Sequence, residues 1–104
     1  MTVENITNAR GNKVANQFII RNGNVVTFQS YESTICEIDY LYGTITFGRD
    51  WDYSVTTTKH LYQFLRDESF DLANLNNRKS IQKAIDEGKY TDYWEVNYID
   101  EKNF

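Results

Sequence analysis

The chain has 104 residues, of which 40% are hydrophobic and 25% charged. That length fits one ordinary domain, since a domain takes roughly 100–200 residues, and the apolar content is too high for a chain that stays disordered. A net charge of -4 argues against general nucleic-acid binding, whose affinity comes from neutralising phosphates, and suits a partner with a basic surface.

No run approaches the roughly 18 apolar residues of a membrane helix, and the polar stretch from Met1 to Arg10 lacks the apolar core of a signal peptide. A lone Cys36 excludes an internal disulfide or a cysteine zinc site and points to a reducing compartment, and the single His60 excludes a histidine-rich metal site. No cofactor is expected.

In chain order the first element is a hairpin. Gln17–Arg21 and Val25–Gln29 flank Asn22-Gly23, and Asn-Gly between β-formers predicts a type I′ turn with positive φ at both central residues. A third strand is predicted over Thr34–Tyr40, with Cys36, Ile38 and Tyr40 as its apolar set, and a fourth over Thr44–Phe47 after a turn at Gly43. The period then changes. Leu61, Phe64 and Leu65 predict a helix over Thr56–Asp67, capped by Ser54 or one of Thr56, Thr57 and Thr58. Ile81, Ala84 and Ile85 predict a second helix over Asn77–Glu87, capped by Asn76 or Asn77 and closed by Gly88. The alternation in Tyr90–Ile99 predicts a fifth strand. The expected fold is α+β in a single domain, residues 1–104: an antiparallel four- to five-stranded meander with two helices on one face. Its expected core is Phe18, Ile20, Val26, Phe28, Cys36, Ile38, Ile45, Phe47, Leu61, Leu65, Ile81 and Ile85.

Chemistry-bearing constellations are sparse. Cys36 and His60 form the sole Cys/His pair, but Cys36 sits in an apolar strand alternation, where free cysteine is an inert core residue. His60 falls in the first turns of a helix, which favours a neutral surface or capping imidazole. Neighbouring carboxylates such as Asp50 with Asp52 do not by themselves make an acid/base pair, because adjacent side chains point apart. No phosphate-binding glycine loop or calcium loop is present. The expectation is a protein that binds rather than an enzyme.

The charge is uneven. Up to Ile85 acids and bases balance, so the net charge lies in the last stretch, with Asp86, Glu87, Asp92, Glu95, Asp100 and Glu101 against Lys89 and Lys102. Tyr93, Trp94 and Tyr98 are interleaved there as candidate anchors, because aromatic residues bury much area while ordering few torsions. Trp51 and Tyr53 form a second aromatic pair at the strand-to-helix junction. There Asp52 and Ser54 could cap the helix while the two rings staple it to the sheet, or the rings could line a recognition surface.

Three segments carry a resemblance: Asn8-Ala9-Arg10-Gly11-Asn12-Lys13-Val14-Ala15-Asn16-Gln17-Phe18-Ile19-Ile20, Phe28-Gln29-Ser30-Tyr31-Glu32-Ser33-Thr34-Ile35, and Trp51-Asp52-Tyr53-Ser54 with Thr56-Thr57. Over about residues 8 to 66 the chain resembles a group of small uncharacterised proteins encoded by phages and mobile elements of Gram-positive bacteria. Its acidic and aromatic C-terminal stretch departs from their pattern. The resemblance implies an accessory protein acting in the cytoplasm of an infected bacterial host. Its expected role is to bind and inhibit a host nucleic-acid-handling protein through a basic surface, with anti-CRISPR or anti-restriction activity as the most concrete form and a homodimer as one route. The alternative expectation is a single-stranded nucleic-acid-binding module that uses sheet aromatics with Arg10, Lys13, Arg21 and Arg49.

Overall fold

A computed structural model describes all 104 residues. The fold is α+β, but its sheet has seven strands and mixed pairing. The strands are β1 (Thr2–Thr7), β2 (Lys13–Asn22), β3 (Val25–Ser30), β4 (Ser33–Asp39), β5 (Thr44–Gly48), β6 (Lys89–Tyr90) and β7 (Trp94–Ile99), in the order β1-β2-β3-β4-β5-β7-β6. The helices are α1 (Val55–Glu68) and α2 (Arg78–Glu87), with one 3₁₀ turn at Phe70–Leu72 between them. No helix is long and apolar enough to cross a membrane.

The expected meander is present from β2 to β5. Two additions correct the four- to five-stranded antiparallel expectation. The polar N-terminal segment pairs antiparallel with β2 as an edge strand. The predicted fifth strand divides into short β6 and longer β7, and β7 lies parallel to β5 because α1 and α2 carry the chain back across the sheet before it forms. The predicted turn at Asn22-Gly23 shifts by one residue. Asn22 pairs with Val25, so Gly23-Asn24 is the two-residue loop. Only Gly23 there has positive φ, 62°, which matches a type II′ turn with glycine first rather than type I′.

One face of the sheet carries the core. Across β3, β4, β5 and β7 the register aligns Val26, Ile38, Ile45 and Val96, and beside them Phe28, Cys36 and Phe47. These residues join Leu61, Phe64 and Leu65 of α1 and Ile81 and Ala84 of α2 in one buried cluster. Ile85 is only partly buried against it. Phe18 and Ile20, expected in the core, pair with Gln29 and Thr27 on the opposite face and are half-buried. The core-facing parity of β2 is instead Gln17 and Ile19.

Both helix caps follow from the sequence. The Ser54 hydroxyl accepts the Thr57 N–H at 3.1 Å. Asn77 and Ser80 form a reciprocal capping box, and Gly88 closes α2 in the left-handed region at φ 70°. His60 is buried rather than at the surface, beneath α1.

Candidate functional site

The register gives the sheet two distinct ends. Ser30, Ser33 and Gly48 lie at one end, and Val25, Asp39 and Thr44 at the other. Because β7 is parallel to β5, Glu95 pairs with Thr44 and Ile99 with Gly48. The C-terminal acids are therefore not one surface. Asp92 and Glu95 stand at the Thr44 end, whereas Asp100 and Glu101 emerge at the Gly48 end, about 17 Å away at roughly 3.3 Å per residue. Asp86 and Glu87 lie on the last turn of α2. All six are exposed.

The Thr44 end is aromatic. Tyr93 is 81% exposed beside the β4–β5 turn, where Leu41 and Tyr42 also stand in solvent and Tyr40 is partly exposed. The two loops are stitched together: the Glu95 N–H donates to the Gly43 carbonyl at 2.9 Å, and a Cβ on Gly43 would meet the Tyr93 carbonyl at 2.9 Å. Phe70, 95% exposed on the 3₁₀ turn, belongs to the same end, because its neighbours anchor there. The Tyr40 hydroxyl donates to Glu68 Oε1 at 3.0 Å and the Trp94 indole N–H donates to Asp71 Oδ2 at 2.8 Å. Glu68 also takes a bidentate pair of hydrogen bonds from Arg21 at 3.0 and 2.7 Å, which ties the end of α1 to β2.

These partners set protonation. The Ser69 hydroxyl and then the Trp94 indole hold the Asp71 carboxyl below its usual range. Burial and then Glu68 push the Tyr40 phenol up, so it remains a donor at neutral pH.

Trp94 is buried, edge-on to Tyr40, and is therefore the support under this patch rather than an anchor for a partner. Trp51 is likewise buried, edge-on to Phe47 at the other end. Both corrections have one cause: a tryptophan at a core-facing position packs inward. Tyr98 is partly exposed, and Tyr53, at 79%, does not staple α1 to the sheet. Sequence reasoning missed Tyr40, Leu41, Tyr42 and Phe70. For Tyr40–Tyr42 the signal available was an apolar run placed directly against the turn glycine Gly43.

The Gly48 end is a cleft of about 840 Å³. Ser30, Ser33, Ile35 and Thr57 form its buried floor, and Tyr31, Glu32, Tyr53, Thr56 and Lys102 stand around it. Ser33 donates to Asp50 Oδ2 at 2.9 Å. The C-terminal segment lies along this end: the Thr34 N–H donates to the Lys102 carbonyl at 2.9 Å and the Arg49 N–H to the Glu101 carbonyl at 3.2 Å.

Residues 1–87 match the model of a family of unknown function, DUF8033. The chain belongs to that family. No curated protein and no solved structure matches it. The DUF8033 match runs from β1 through α2, so it contains Tyr40–Tyr42, Phe70 and the cleft floor. It stops short of β6 and β7, and so of Tyr93, Glu95 and the segment along the cleft.

Elsewhere, burial pushes the Cys36 thiol well up, which keeps it protonated and inert. Burial, and then Lys59, push the His60 imidazole down, so it is neutral in the fold. No group of three or more His, Cys, Asp or Glu side chains comes together in a way that could hold a metal ion.

Proposed function

We propose that the chain is a non-enzymatic accessory protein of a phage or mobile element that docks its aromatic end on a host nucleic-acid-handling protein and inhibits it in the bacterial cytoplasm. An anti-CRISPR or anti-restriction inhibitor is the most concrete form of this reading. The observation that carries it is the exposed cluster of Tyr40, Leu41, Tyr42, Phe70 and Tyr93 on one end of a folded sheet. An apolar patch rimmed by polar residues marks a protein-interaction site, and tyrosines are favoured anchors there. The rim is acidic: Asp39, Asp71, Asp92 and Glu95 lie beside it. Lys89 stands opposite Glu95, and Arg21 is already held by Glu68. Such a rim complements the basic channel of a nucleic-acid-handling protein.

The test is capture from nuclease-treated bacterial lysate, comparing the wild-type chain with a Tyr42→Ala/Tyr93→Ala double variant. The expected result is a nucleic-acid-handling protein held by the wild type, released by salt, lost with the variant, and slowed in DNA binding or cleavage by the pure chain. Equal capture by the variant, or a captured protein whose activity is unchanged, would refute the proposal.

The single-stranded nucleic-acid reading receives less support. Arg21 is engaged by Glu68 and Glu4. Arg49 stands at the Gly48 end, and the open sheet face presents Glu37 and Asp39 among its half-exposed residues.

A further inference from the structure

We propose that the cleft at the Gly48 end binds an uncharged polyhydroxylated ligand, a short saccharide. This inference is independent of the aromatic end, which lies at the other end of α1 and of the sheet.

The cleft has the volume of a small-molecule site, which spans about 300–1,000 Å³. Its floor is rich in hydroxyls. Ser30 lines it and is only 5% exposed, and none of the side-chain hydrogen bonds at this end involves its Oγ. That hydroxyl makes no side-chain hydrogen bond within the protein and is free to pair with a group that enters the cleft. Thr56 and Thr57 add hydroxyls able to donate and accept as sugar hydroxyls do, and Ser33, whose proton goes to Asp50, can accept from one. Asp50 accepts from Ser33 through Oδ2, which leaves Oδ1 to accept from a ligand hydroxyl.

The rim supplies what the floor lacks. Tyr31 and Tyr53 are 64% and 79% exposed and both line the cleft, offering ring faces for the apolar side of a sugar ring. Tyr31 holds this place from the left-handed backbone region, at φ 53°. It is secured there by its N–H on the Asn16 carbonyl at 2.7 Å and by Gln29 Nε2 on its own carbonyl at 2.7 Å. A bulky residue kept in that region by its surroundings is a mark of a positioned side chain.

Charge narrows the ligand class. Two carboxylates, Glu32 and Asp50, face one ammonium, Lys102, which lies 3.7 Å from Glu32. That balance repels phosphate and carboxylate ligands and leaves a neutral one favoured.

The full chain, labelled with ¹⁵N, is titrated with cellobiose, maltose and N,N′-diacetylchitobiose, and in parallel with inorganic phosphate and tetramethylammonium. The expected result is a saturable shift with at least one disaccharide, confined to amides of residues 30–35 and 50–57. Tyr53→Ala and Ser30→Ala should each weaken it by about tenfold, and because Tyr53 is exposed, that variant keeps the native spectrum. The proposal is overturned if none of the three sugars gives a saturable shift, if shifts spread equally to the Tyr40–Tyr42 end, or if only phosphate or tetramethylammonium saturates the cleft. None of these outcomes bears on capture of a protein by the aromatic end.

Discussion

The two ends of the sheet use the same residue types for opposite shapes. Each exposes tyrosines beside carboxylates. At the Thr44 end Tyr42, Tyr93 and Phe70 stand out from two loops and a 3₁₀ turn over a buried Trp94. At the Gly48 end Tyr31 and Tyr53 border a concave, hydroxyl-lined cleft. Composition alone does not separate a surface for a protein from a site for a small molecule. What separates them is shape: at one end the aromatics stand on turns above the sheet, and at the other they border a hollow floored by Ser30, Ser33 and Thr57. A protruding apolar patch suits a broad partner, and a cleft suits a ligand it can enclose.

The largest expected effect breaks the first end from below. Trp94→Ala removes a buried ring and its bond to Asp71 and should cost about 3–5 kcal/mol. That is a large share of the roughly 5–15 kcal/mol typical of a domain. The adjacent Tyr93→Ala should stay within about 0.5 kcal/mol, because its ring is in solvent. Urea midpoints of the two variants check this. Equal midpoints would show that Trp94 is not the support of the patch.

Next in size is a lesion at the other end. A Cβ on Gly48 would run into the Thr34 carbonyl and, at 2.7 Å, the Phe104 ring. Thr34 cannot easily retreat, since its N–H is bound to the Lys102 carbonyl. Gly48→Ala should therefore cost about 1–3 kcal/mol and loosen residues 101–104, read as faster amide exchange at Thr34 and Arg49. Wild-type exchange at both would count against this docking.

The local features of this architecture were legible and the non-local ones were not. Ser54, Asn77 and Gly88 announce their helix ends within a few residues, and the chain obeys them. The β2–β3 hairpin was readable too, although the strand register moved its turn by one residue. β1 was not readable, because in Thr-Val-Glu-Asn-Ile-Thr only Ile6 is buried and an edge strand carries a weak alternation. The inward face of β2 was misread because Phe18 and Ile20 are the more apolar parity yet point outward. Period two shows that two faces exist, not which one the helices cover. The cleft was illegible for a stronger reason. Asn16, Ser30, Asp50 and Lys102 come from four distant places in the chain, and only the fold brings them together.

A smaller effect separates the buried side of α1 from both ends. The His60 imidazole is pushed below its ordinary value of 6.5, so the unfolded chain binds the proton more readily. Its contribution to stability is complete above pH 6.5 and is lost as the pH falls below it. Glu37, pushed up by burial and then by Asp39, works in the opposite direction as the pH falls. The two are resolved by comparing His60→Gln with the wild type at pH 7.5 and 5.5, which brackets the His60 value. The variant's thermal midpoint should fall less between those two conditions. An equal fall would mean that His60 gains a proton without loss of packing.

The smallest predicted effect bears most directly on the comparison. Each end holds a non-glycine residue in the left-handed region: Tyr31 at φ 53° beside the cleft, and Thr91 at φ 60° in the β6–β7 turn below Tyr93. For an ordinary side chain that conformation costs about 1–2 kcal/mol, and glycine gives back about 0.5–1 kcal/mol of this through unfolded-state entropy. Tyr31→Gly should therefore stabilise the chain by about 0.5–1 kcal/mol, and Thr91→Gly by less, because it also removes the hydroxyl that accepts the Tyr93 N–H at 3.2 Å. Asn16→Gly should do almost nothing, because asparagine tolerates φ 63°. The two stabilised variants then diverge in function. Thr91→Gly lies far from the cleft and should leave saccharide binding as before. Tyr31→Gly removes the ring that the strained backbone positions, so its gain in stability should come with loss of saccharide binding. A Tyr31→Gly variant that is more stable and still binds would show that the strain at Tyr31 serves the turn between β3 and β4 and not the cleft.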